Sequence, residues 1–66
     1  MSIENLQNAL RLSVLMTGVL NTTEECIGKL RRHMEPEQVA EAQMRMARAH
    51  ADINEIQAEI LERLDQ

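Results

Sequence analysis

The chain contains no phenylalanine, tyrosine or tryptophan. It therefore lacks the residues that usually supply both core volume and interface anchors, and Leu, Ile, Val, Met and Ala must fill any interior. One cysteine, Cys26, cannot form an internal disulfide, and a single reduced thiol fits a cytoplasmic setting. Two glycines and one proline are too few for the turns of a sheet protein, while strong helix formers dominate the composition. Long apolar runs are missing as well. The most apolar stretch, residues 9–20, is interrupted by Arg11, is too short to cross a bilayer and has neither the basic start nor the cleavage site of a signal peptide.

What remains is an all-α reading. At 66 residues a domain buries only about 60% of the surface its unfolded chain exposes, so a lone core is marginal. With disulfides excluded and no metal set in view, association with another chain is the remaining source of stability. The net charge of −4 is uneven: residues 1–34 carry four basic and three acidic groups, and residues 35–66 carry three and eight. An acidic second half argues against a nucleic-acid surface, which needs clustered Lys and Arg.

Along residues 3–34 at helical period, Ala9, Leu12, Met16, Val19, Leu20, Thr23, Ile27, Leu30 and Met34 share one face, with Cys26 at its edge. This face predicts one continuous first helix, although Thr22 followed by Glu25 is a capping-box pattern that could restart a helix there. Pro36 disfavours helix at Glu35 and suits the first turn of a second helix, which places the turn near residues 34–36. From Val39 the spacing alternates three and four through Ala42, Met46, Ala49, Ile53, Ile56 and Ile60 to Leu64, a heptad seam. The prediction is a single domain over residues 1–66. Two long antiparallel helices, at about 3–34 and 36–64, form a hairpin completed by dimerisation or by a partner chain.

If these stripes face each other, Ile3, Leu6, Leu10 and Val14 are left on the far side of helix 1. The back of helix 2 presents Ala40, Met44, Ala47, Ala51 and Ala58. Both sets read either as ordinary exposed residues or as partner-binding surfaces. No catalytic, cofactor or metal site is expected. Cys26, His33 and His50 lack the further ligands that zinc requires, and a slim two-helix rod does not readily supply the pocket and orienting group of a cysteine catalyst. Lys29, Arg31 and Arg32 either touch an acidic partner or RNA, or complement the C-terminal dipole of helix 1. The acidic neighbouring helix and the missing aromatics favour the dipole.

The stretch Lys29, Leu30, Arg31, Arg32 to Met34, followed by Pro36, Glu37 and Gln38, resembles the turn region of small co-chaperones of the type III secretion needle subunit, the E component of the Yersinia, Pseudomonas and Aeromonas type. The chain differs from them in a shorter turn without glycine and in lacking aromatics on helix 2. The resemblance implies a cytoplasmic helical hairpin that binds a helical-repeat chaperone, the two together keeping the needle subunit from polymerising early. The residues alone also admit a homodimeric four-helix-bundle regulator, of phage or plasmid origin. Neither reading makes the chain an enzyme.

Overall fold

The computed structural model describes residues 2–66. It is a helical hairpin of α1 (Ile3–Leu30), a single 3-10 turn (Arg31–His33) and α2 (Pro36–Leu64), with no strand among the described residues. The rod measures 47 × 15 × 13 Å.

The helix ends follow from local chemistry. Ser2 caps α1, its Oγ accepting from the Asn5 backbone N–H at 3.1 Å, which satisfies one of the four N–H groups a helix start leaves unpaired. Pro36 holds Glu35 in extended backbone (φ −65°, ψ 144°) and opens α2 at its first turn. The Glu35 N–H donates to Gln38 Oε1 at 3.1 Å, and Glu37 sits at the positive end of the helix dipole. The turn uses no residue with positive φ, which is why it needs no glycine.

α1 does not break between Gly18 and Thr23. The Thr22 hydroxyl that could have restarted a helix bonds backwards along it instead, Oγ1 donating to the Gly18 carbonyl at 3.1 Å, and Thr23 Oγ1 likewise donates to the Val19 carbonyl at 2.9 Å. Gly18 is tolerated within the helix and opens no contact, since a Cβ there would meet nothing within 4 Å.

The seam between the helices departs from the expected one on both sides, although Leu20 and Ile27 on α1 and Val39, Met46, Ile53, Ile60 and Leu64 on α2 lie in it as expected. On α1 it runs Leu6, Leu10, Ser13, Thr17, Leu20 and Ile27, at alternating spacings of four and three with Glu24 at its edge. Leu6 is only 6% exposed and Ser13 only 4%. On α2 it runs Val39, Met46, His50, Ile53, Gln57, Ile60 and Leu64, with Ala42 and Ala49 half-buried on its flank. Ile56, expected in the seam, is 50% exposed. Relative to expectation α2 is rotated by about one heptad position, roughly 50°, and α1 by about twice that.

Small side chains and satisfied hydroxyls make this pairing possible. Ser13 Oγ donates to the Leu10 carbonyl at 2.6 Å and Thr17 Oγ1 to the Ser13 carbonyl at 3.1 Å, so neither brings an unpaired polar group into the interface. Glu24 Oε1 accepts from His50 Nε2 at 2.7 Å across the hairpin. That contact reports the antiparallel register: bulky Ile53 and Ile60 lie about level with the stretch from Ser13 to Leu20, where α1 has small side chains.

Two outcomes are expected from this packing. Ile53→Asp should cost several kcal/mol and abolish the hairpin's thermal transition, because a carboxylate would be buried without a partner. Ile56→Asp should cost far less, measured by circular dichroism on both variants. Gly18→Ala should raise the urea midpoint by the equivalent of about 1 kcal/mol, since the helix gains a better former and the space is open.

Candidate functional site

The candidate site is a helix face that the hairpin leaves uncovered. Ala9, Leu12, Met16, Val19, Thr23, Cys26 and Leu30 recur along α1 at alternating spacings of three and four, a second heptad stripe beside the seam in which Ala9 and Thr23 are half-buried and the rest exposed. Leu12 is 60% exposed and Val19 65%, and Leu15, Met16, Cys26 and Leu30 are exposed as well. Of these, Leu12, Met16, Val19 and Leu30 are the ones expected to close the hairpin, with Cys26 at the edge of their stripe. Instead the more polar stripe closes it and the more apolar one faces out.

The two stripes together cover about 150° of the α1 surface, from the 3.6-residue turn, whereas one neighbouring helix normally covers an apolar stripe of roughly 100°. α2 is a single neighbour, and it covers only the Leu6 to Ile27 side. The Glu24–His50 contact marks one edge of the seam. Ala9, Met16, Thr23 and Leu30 lie at the opposite edge of α1, and Ala42, Ala49 and Ile56 at the matching edge of α2. By the register, Ile56 is level with Gly18, so its exposed side chain extends the Leu12, Met16 and Val19 face across the groove between the helices.

Of the residues singled out from the sequence, Leu6 and Leu10 are corrected. Leu6 is buried and Leu10 half-buried in the seam, so they do not belong to an outer surface. Ile3 and Val14 are exposed as expected, but with Leu6 and Leu10 turned inward they no longer form a patch: Ile3 lies at the helix start, and Gln7 and Asn21 lie one heptad either side of Val14. On α2, Ala40, Met44, Ala47, Ala51 and Ala58 are exposed, and with Leu61 they form a second outer stripe of mostly small side chains. Ala47 borders the shallow groove that Glu24 also lines, so this stripe adjoins the His50 edge and lies on the other side of the hairpin from the α1 face.

Charge is distributed to match. From residue 5 to residue 28 the stripe from Ala9 to Cys26 has no ionisable group other than the Cys26 thiol, with Arg11 lying one turn from Leu15 at its outer margin. The outer surface of α2 carries ion pairs at one-turn spacing, Arg45 to Glu41 at 2.6 Å and Arg63 to Glu59 at 2.9 Å, all well exposed. Cys26, expected at the edge of the core, is exposed, and His33 is exposed beside the turn. Among the described residues, no group of three or more His, Cys, Asp or Glu is placed to hold a metal ion, and no helix is long and apolar enough to cross a membrane. What this geometry can do chemically is bury apolar surface against another helix. No protein-family model, curated protein or solved structure matches the chain.

Proposed function

We propose that the chain is a small protein-binding module, a cytoplasmic co-chaperone or adaptor rather than an enzyme, which acts by laying the outer face of α1 against another helical chain. The observation that carries this reading is the inversion of the two stripes. A helix that keeps Ser13 and Thr17 inside and exposes Leu12, Leu15, Met16 and Val19 leaves its greater source of hydrophobic stabilisation unused within the hairpin. Apolar burial is favourable by about 25 cal/mol per Å², so a second helix on this face gains what the hairpin forgoes. Recognition of an amphipathic helix through anchors at three- and four-residue spacing is a recurrent binding mode.

The resemblance at Lys29 to Gln38 makes co-chaperoning of a type III secretion needle subunit the specific form of this proposal, with a helical-repeat chaperone as the partner. In that setting the exposed face is the surface that the chaperone covers.

The test compares Leu12→Asp with Leu6→Asp. Leu12→Asp should keep the helical circular dichroism of the parent and lose the complex with a different protein recovered from native lysate. Leu6→Asp should lose the helix signal itself. Equal loss of helix in both variants, or an undiminished heteromeric complex with Leu12→Asp, would remove the α1 face from the binding site.

A further inference from the structure

We infer that in the free chain the outer face of α1 is covered by a second copy, the two α1 helices crossing antiparallel about a two-fold axis between Met16 and Val19 to give a four-helix bundle. This rests on the binding-face reading above and names the occupant of that face when no other partner is present.

Area is the first argument. The chain exposes 5492 Å², whereas a compact monomer of 7.6 kDa exposes about 4,300 Å² by the mass scaling of folded proteins. The excess of roughly 1,200 Å² exceeds the ~800 Å² that each partner contributes to a stable interface of standard size. The radius of gyration points the same way, at 15.2 Å against about 11 Å for a compact domain of this length.

Complementarity is the second. A two-fold axis between Met16 and Val19 sets Met16 of each copy against Val19 of the other, Leu12 against Thr23, and Ala9 against Cys26, so larger side chains meet smaller ones and every layer falls on the stripe. Because the stripe from Ala9 to Cys26 carries no acidic or basic side chain, two copies meet there without like-charge repulsion. The charges beyond it select the direction. The turn end of the rod carries Lys29, Arg31 and Arg32 beside Glu35 and Glu37 and is close to neutral, whereas the open end carries Glu4, Glu59, Glu62 and Asp65 against the single Arg63 and is acidic. Antiparallel copies keep the two acidic open ends apart and set each beside a near-neutral turn end, whereas parallel copies would stack the acidic ends on each other.

Sedimentation equilibrium of the purified full chain over a dilution series should give a mass twice 7.6 kDa that falls towards the monomer on dilution. Val19→Glu should lose the doubling at concentrations where the parent is dimeric. Since Val19→Glu could also unsettle the fold, a cross-link provides the second measurement. Ala9→Cys, under mild oxidation, should give a covalent dimer joined between Cys26 and the introduced thiol at position 9 of the other copy. The unmodified chain should give none, because in this arrangement the two Cys26 residues lie about 25 Å apart along the axis. Rapid Cys26 to Cys26 linkage in the unmodified chain would overturn the antiparallel arrangement. A monomer throughout the series would overturn the second copy while leaving the binding-face reading to its own test in native lysate.

Discussion

The bonds from the Ser13 and Thr17 hydroxyls to their own helix decide which face of α1 meets α2. A hydroxyl buried without a partner would cost on the order of 1–3 kcal/mol, enough to turn α1 round in so small a molecule. Once each hydroxyl is satisfied within α1, that cost disappears and only size is left. Ser13 and Thr17 are small, and Ile53 and Ile60, the two buried side chains of α2, lie about level with them. The register, the Glu24–His50 contact and the outward stripe all follow from this fit.

The same bonds explain what could and could not be read from the sequence. Two helices and the position of the hinge were legible because Pro36 acts through covalent geometry, which no tertiary contact overrides. Val39, Met46, Ile53, Ile60 and Leu64 were legible as α2 core because they are apolar at a heptad spacing. The other half of the α2 seam was not. Ile56 outranks Gln57 in hydrophobicity, yet Gln57 is half-buried and Ile56 half-exposed, because the centre of the α2 interface sits on Ile53 and Ile60 and its flank falls towards His50.

On α1 the failure was larger and had the same source. Ranking faces by hydrophobicity favours Leu12, Met16 and Val19 over a stripe containing Ser13, Thr17 and Glu24, and it assumes that the most apolar face meets the nearest helix. That assumption holds for a helix with one partner. For a helix with two apolar stripes, periodicity gives both and leaves their order undetermined, which the close fit of particular side chains then settles. Leu6 and Leu10 were therefore placed on the wrong side. The exposed positions on α2, Ala40, Met44, Ala47 and Ala51, were placed correctly because α2 has only one strongly apolar stripe.

The placement of charge sets which helix belongs inside any larger assembly. Most of the carboxylates lie in the second half of the chain, where Glu41 and Glu59 are already paired with arginines and well exposed. Burying the α2 surface would require desolvating those groups, at a cost that ion pairs seldom recover. Burying the α1 face requires no such step, because its stripe from Ala9 to Cys26 has only apolar, hydroxyl and thiol side chains. An additional chain is therefore favoured against α1, with α2 left on the water side. The narrow alanine stripe of α2 contributes less, since alanine offers little area to remove from water. In this molecule the hairpin seam fixes the shape, and the face left over on α1 fixes where stability can still be gained.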